Sequence, residues 1–413
     1  MVFKVQKENN IMLLQFRFKN YKSFAEEAIL DMTATNIKEH MDSLIDIAGK
    51  KILPVAAIFG ANASGKSNFF QAFQAMQLEV TAPSKKYQCA IPFIFNNNLK
   101  NEPTEFEICI NFEDKKYRYG FAMNQKEILE EWLYEQRFAK KTRSKEKCIF
   151  YREYDNLNFE SVTKDEKKEI KYIFSMLKTD ELIMTALGKR GKSLYSLVYH
   201  WFASVPQFKD YSTDFSEFFD MRRVSEALYK LSDIKRNVLL LLQEFDDAII
   251  DLEIEKKQDD NLKDIYEIYS VHENENGEKI RFPFNNESKG TQKILTLSVW
   301  ILLSLNMGTV LFIDELDAKL HPLILRYILK LYTNLDDNKQ NGQLIFSSHN
   351  LVCLDSNDLR RDEIWFVEKE KQKSTMFSLY DFKTYDSANY TDFDFGKHYL
   401  NGRFGAIPFL KEE

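Results

Sequence analysis

A chain of 413 residues, 44% hydrophobic and 29% charged, has the composition of a soluble globular protein with one large core or two to three units. Its 13 glycines and 8 prolines are too few for a long disordered tail, and a net charge of −6 excludes a surface coated in basic residues, though not a local basic patch. Cys89, Cys109, Cys148 and Cys353 are scattered with no Cys-x-x-Cys pair, which excludes a disulfide framework or zinc site and suits a reduced, cytoplasmic setting.

The first residues, MVFKVQKENNIMLLQF, carry charges where a signal peptide needs an apolar core. LLQFRF and PVAAIF read as short strands, and after the second comes Gly60-Ala61-Asn62-Ala63-Ser64-Gly65-Lys66-Ser67. This fits G-x-x-x-x-G-K-[ST] in full and stands between an apolar strand and a helix expected from Ser67 to about Leu78, the context a phosphate loop requires. Backbone N–H groups freed by the glycines, together with the helix N-terminus and Asn68 behind it, would cradle phosphates. Lys66 would neutralise phosphate charge and the Ser67 hydroxyl would ligate Mg²⁺.

FEICINF and YRYGFAM continue the strand pattern, followed by a charged hairpin with Arg137, Lys140, Lys141, Arg143, Lys145 and Lys147. The bland reading of that hairpin is a solvated loop; the sharper one, a contact to nucleic-acid phosphates, leaves nucleic acid open as a partner. Residues 161 to 245 are helical by periodicity and read as an insertion between two halves of one nucleotide-binding fold. Within them Gly191-Lys192-Ser193 imitates a phosphate loop, but Ala186 stands where the first glycine is needed, so it reads as a basic turn between helices. The division expected is thus 1–160, 161–245 and 246–413.

From about residue 250 strands and helices alternate as in an α/β fold. Glu287-Ser288-Lys289-Gly290-Thr291-Gln292 opens a helix with donors suited to a phosphate contact. Ile294 to Ile313 lacks any charge over a membrane-spanning length, but Asn306-Met307-Gly308 breaks it, so a buried helix, a turn and a buried strand are expected rather than a membrane segment. That strand ends in Asp314-Glu315. The Asp suits Mg²⁺; the Glu can act as general base on a water in line with the γ-phosphate, which favours hydrolysis over kinase chemistry. Leu316-Asp317-Ala318 follows. Gln343 to His349 forms another apolar strand, with His349 placed to sense the γ-phosphate. His40, His200, His272 and His398 are isolated and read as structural. Asp386, Asp392 and Asp394, interleaved with Tyr and Phe, read as a solvated loop or docking tail.

The order phosphate loop, S-x-G-x-Q helix start, acidic strand, Leu316-Asp317-Ala318 and strand-end His resembles the ABC-type ATPases of the SMC and RecF group. Phe18-Lys19-Asn20-Tyr21-Lys22-Ser23-Phe24 resembles that group's early strand pair, in which the basic residue and Ser, here Lys22 and Ser23, approach the nucleotide. More narrowly, ESKGTQKIL, LFIDELDAKLHP, QLIFSSHN, LRRDEIWFVEKE and YLNGRFGAIPFL look together like the abortive-infection ATPases of the AbiL type, from Met12 to about residue 410. The resemblance implies an α/β, ABC-type P-loop ATPase with a mixed sheet core and helical insertion, using ATP and Mg²⁺. It implies a homodimer or higher homo-oligomer with ATP at the interface: one protomer's loop facing Ser288, Lys289, Gly290, Thr291 and Gln292 of another, with Asp317 beside them. It also implies Lys66, Glu315 and His349 as catalytic residues, Asp314 and Ser67 as metal ligands, and a role in phage defence beside a separately encoded effector, a TOPRIM-type nuclease or a toxin. Too little chain follows His349 for such a nuclease. A Q-loop glutamine has no clear place; Gln88 is the nearest candidate. A DNA-repair clamp and an ATP-locked scaffold are the alternatives.

Overall fold

The computed structural model describes residues 11–83, 89–138, 144–191, 194–206, 221–259, 262–318, 320–382 and 394–407. The chain runs through β1 (Met12–Lys19), β2 (Ala28–Asp31), the short pair β3 (Ile45–Ile47) and β4 (Lys50–Ile52), then β5 (Val55–Phe59) and α1 (Lys66–Thr81). Next come β6 (Thr104–Phe112), β7 (Lys115–Met123), β8 (Ile128–Arg137), β9 (Lys147–Glu153) and β10 (Asn156–Asn158). The helical stretch holds α2 (Lys164–Phe174), α3 (Ile183–Gly188), α4 (Leu194–Ser204), α5 (Met221–Lys230) and α6 (Ser232–Gln243). After β11 (Asp251–Gln258), β12 (Asp264–Glu273) and β13 (Lys279–Pro283) follow α7 (Lys289–Met307), β14 (Val310–Ile313), α8 (Pro322–Thr333), β15 (Gln343–Ser347), β16 (Ile364–Glu370), β17 (Lys373–Ser378) and α9 (Phe395–Leu400).

The fold is α/β. Among the described residues a five-stranded sheet has the order β14-β15-β5-β16-β17, with β5 drawn from the N-terminal part of the chain and its neighbours from the C-terminal part. Its first four strands are parallel and β17 turns back antiparallel, so the sheet is mixed. Val55 to Phe59 are all buried, because a central parallel strand has both faces covered. Ala56 and Ile58 face one core, which also holds α1 and the seven-stranded antiparallel sheet β10-β9-β8-β7-β6-β1-β2. Val55, Ala57 and Phe59 face another, covered by α7, α8 and α9. Phe73 of α1 stacks on Phe312 of β14 with ring centroids 3.8 Å apart, seating the helix on the sheet.

The helices of the 161–245 stretch divide between two cores: α2, α3 and α4 pack with α1 and the antiparallel sheet, whereas α5 and α6 pack with β11, β12 and α7. Ile294 to Ile313 forms most of α7, a left-handed Gly308 cap at φ 64° and β14. Among the described residues no helix is long and apolar enough to cross a membrane.

Candidate functional site

Parallel pairing builds the site. Ser347 of β15 lies opposite Ile58 of β5, Phe346 opposite Ile313 of β14, and Phe366 of β16 opposite Phe59. Gly60, Asp314 and Ser348, each just past its strand, therefore emerge side by side next to Val367 of β16, at the carboxyl ends of the parallel strands, where open α/β sheets bind ligands.

Gly60 leaves β5 with φ +153°, and a Cβ there would come within 2.2 Å of the Val367 carbonyl oxygen. Gly65, at φ +118°, caps α1, and a Cβ would meet Ser374 Oγ at 2.4 Å. Both positions demand glycine, which is why the loop packs against β16 and β17. Lys66 is buried, and its ammonium folds back to donate to the carbonyls of Gly60 at 2.8 Å and Ala61 at 3.1 Å. Burial lowers its pKa to about 8, opposed by the nearby charges of Asp314, Glu315 and Asp317. Those three acids are thus the electrostatic neighbours of Lys66, brought together from distant sequence.

Asp314 is buried and accepts from the Ser347 hydroxyl at 2.5 Å; Ser347 Oγ in turn accepts the N–H of Glu315 at 2.7 Å. Glu315 turns sharply there, with φ 52°. Asp317 Oδ2 accepts the N–H of His349 at 3.1 Å, while its Oδ1 is buried without a partner. The His349 imidazole is held below its ordinary pKa by desolvation and then by the charge of Lys66, which keeps it neutral at physiological pH. His349, Ser348 and Gly60–Ser64 line a cleft of about 610 Å³.

Ser23 lies beside the loop. Asn68 Nδ2 donates to Ser23 Oγ at 2.7 Å; the Ser374 hydroxyl gives its one proton to the Ser64 carbonyl at 2.5 Å, and its oxygen accepts from the Ser23 hydroxyl at 2.7 Å. Lys22 sits one helical turn further along, its Nζ bonded to Gln71 Oε1. Ser347 and Ser374 were not legible as site residues: Ser347 reads as the end of an apolar strand, and Ser374 reaches the loop only through the β16–β17 pairing.

Ser288 caps α7, accepting the N–H of Thr291 at 3.1 Å, and the Thr291 hydroxyl donates to Asp246 at 3.1 Å. Gln292 donates to the carbonyls of Asn285 and Glu287, and Lys289 to Gln292 Oε1. Nothing crowds Gly290, whose nearest neighbour to an added Cβ is Ser288 Oγ at 3.5 Å. One turn on, the buried Lys293 bonds the Ala318 carbonyl, joining this helix to the turn after the acidic strand. The hydrogen bonds of Ser288–Gln292 thus stay within the helix start and its Asp246 support, and do not join it to Gly60–Ser67 of its own chain among the described residues.

The residues fit a nucleotide with a divalent cation. Ser64 Oγ and Asp317 Oδ1 are buried and unpartnered at the loop, and Lys66 is satisfied only by backbone carbonyls it can leave. Among the described residues no three His, Cys, Asp or Glu side chains gather into a metal cluster, so a cation here would lean on Ser67, Asp314 and the phosphates themselves. Gln88, Lys140, Lys141, Arg143, Asp386 and Asp392 lie outside the described residues; Asp394 caps α9, accepting from the Lys397 N–H at 2.8 Å. His272 pairs with Glu287 at 2.7 Å, and all four cysteines are buried and unbridged.

Over residues 55–355 the chain matches the family described as "AAA domain, putative AbiEii toxin, Type IV TA system". No curated protein matches it. Solved structures with a likeness to it include "Crystal structure of the SmcHead bound to the C-winged helix domain of ScpA", 14% identical, covering 89% of this chain and 97% of that one at a TM-score of 0.41. Another is "SMC head domain from Thermotoga maritima", 13% identical, covering 89% and 98% at a TM-score of 0.41.

Proposed function

The chain belongs to the AAA-domain family of the putative AbiEii toxin and type IV toxin–antitoxin systems, and from that membership we propose that it is an ABC-type, Mg²⁺-dependent ATPase. The observation that carries the reading is the convergence of Lys66, Asp314, Glu315, Asp317 and His349 at one edge of the parallel sheet. Lys66 exchanges its loop carbonyls for phosphate oxygens. Ser67 and Asp314 hold Mg²⁺, which supplies charge neutralisation on the phosphates. Glu315 accepts a proton from the attacking water, and the neutral His349 donates a hydrogen bond where charge grows. Ser288 and Gly290 complete the site from a neighbouring protomer, since among the described residues of one chain their bonds serve the start of α7.

The chain then acts in bacterial phage defence, its ATP state controlling a separately encoded effector. That partner is a nuclease or toxin, because the described residues supply one catalytic constellation and it is spent on ATP. A ligand shifts contacts only through unequal affinity for two states, so ATP must change the surface the effector sees. The test is Glu315→Gln. It should bind ATP like the wild type and lose about 10²- to 10⁴-fold in turnover, the usual worth of a general base, while Lys66→Ala should lose binding itself. Wild-type turnover in Glu315→Gln would remove the base assignment, and phage protection by this chain expressed without its neighbour would remove the effector.

A further inference from the structure

Ala61, second residue of the phosphate loop, has both backbone polar groups engaged. Its carbonyl accepts from Lys66 Nζ at 3.1 Å, and its N–H donates to the carbonyl of Ala406, near the other end of the chain, at 3.0 Å. Ala406 is itself held by several contacts. Its carbonyl also accepts from the Tyr399 hydroxyl at 2.9 Å, and its N–H donates to Glu368 Oε1 at 3.1 Å. Its φ is +56°, a left-handed conformation that is strained for a residue with a Cβ and persists only where the surroundings enforce it. Phe404 anchors the segment from behind, 1% exposed and stacked on Phe366. Glu368, Tyr399 and Ala406 line the same cleft as Gly60–Ser64 and His349. A strained alanine that spends its carbonyl on a phosphate-loop amide serves the loop.

We propose that Tyr399–Ala406, braced by Glu368, is a positioning clip for the phosphate loop. By holding the Ala61 N–H it orients the peptide whose Gly60 carbonyl Lys66 rests on, and holds the loop open in the shape that receives phosphates. The inference rests on the reading of Gly60–Ser67 as an ATP site. Coupling of this kind is reciprocal: if the docked clip tightens ATP binding, ATP tightens the docking of the clip by the same factor. Nucleotide state is thereby reported at the C-terminal segment.

The test compares Glu368→Ala with Glu368→Gln in the full chain. Both remove a negative charge beside the loop, but only Gln keeps an acceptor for the Ala406 N–H. Calorimetric titration with Mg-ATP should show Glu368→Ala about three- to tenfold weaker than Glu368→Gln, the worth of one hydrogen bond, with Tyr399→Phe weakened about threefold. The rate at saturating ATP should stay level while KM rises. Wild-type hydrogen exchange, which needs no variant to fold, should slow in residues 394–407 when Mg-ATP is added, and Lys66→Ala should lose both binding and that slowing. If Lys66→Ala binds ATP like the wild type, the ATP-site reading fails and the clip with it. If Lys66→Ala loses ATP but Glu368→Ala binds as well as Glu368→Gln and exchange of 394–407 ignores ATP, the clip alone is overturned.

Discussion

Ser347 shows how one hydroxyl can arrange two carboxylate residues. It gives its proton to Asp314 at 2.5 Å and takes the Glu315 N–H at 2.7 Å, so the acid proposed to hold Mg²⁺ and the acid proposed as base share a support. Ser347→Ala leaves a buried acceptor and a buried donor unmade, at a cost of about 1–3 kcal/mol. Turnover should fall more than ATP affinity, because the phosphate loop itself is untouched; steady-state kinetics beside a binding titration checks this. Glu363 offers a second single-residue test. Full burial raises its carboxyl from the ordinary 4.5 to about 8, against the Arg360 N–H that favours the charged form. The folded protein thus keeps a proton that the unfolded chain releases above 4.5. Stability from this group is complete below about 4.5 and lost as pH rises through about 8. Glu363→Gln should flatten that decline, and urea midpoints should gain more at pH 8 than at pH 5.

Between elements, the tie that matters most to the site runs from α1 to the helical stretch. Gln77 is 3% exposed and donates to the carbonyls of Phe202 and Val205 at 2.6 Å each, closing the end of α4, while the Thr185 hydroxyl reaches the Val80 carbonyl at 2.7 Å. Gln77→Ala should cost about 2 kcal/mol in urea unfolding, since two buried carbonyls lose their donor. Loop, strand and helix at β5–α1 were legible because an all-apolar run, two glycines and a lysine leave little choice of local structure. The same holds for α7 and β14, where Gly308 supplies the left-handed stop. Less legible was the break at Leu231, where EALYKLSDIKRNVLLLLQEF looks like one helix yet becomes α5 and α6. Apolar spacing carries through the break, and Ser232-Asp233 restarts the helix as a polar first turn.

At the scale of the molecule, one chain presents a phosphate loop and, at the start of α7, a Ser288–Gly290 segment whose hydrogen bonds among the described residues do not reach that loop. Mixing Lys66→Ala with Ser288→Arg protomers should rebuild one intact site per heterodimer and recover part of the ATPase rate; no recovery in well-mixed heterodimers would place the whole site within one chain. The sequence alone determined which residues could do phosphate chemistry. Glycines at set spacing before Lys66-Ser67, two acids after an apolar strand and a His after another are local patterns, and local sterics and periodicity dictate them. The tertiary structure decided which of those residues are neighbours. Parallel register of β14, β15 and β5 brings Asp314, Ser348 and Gly60 to one edge, and a β17 hairpin carries Ser374 to Ser64. The C-terminal segment likewise brings the Ala406 carbonyl to Ala61. Such contacts join residues hundreds of positions apart through strand pairing and core packing, and the backbone groups that make several of them are the same for every amino acid.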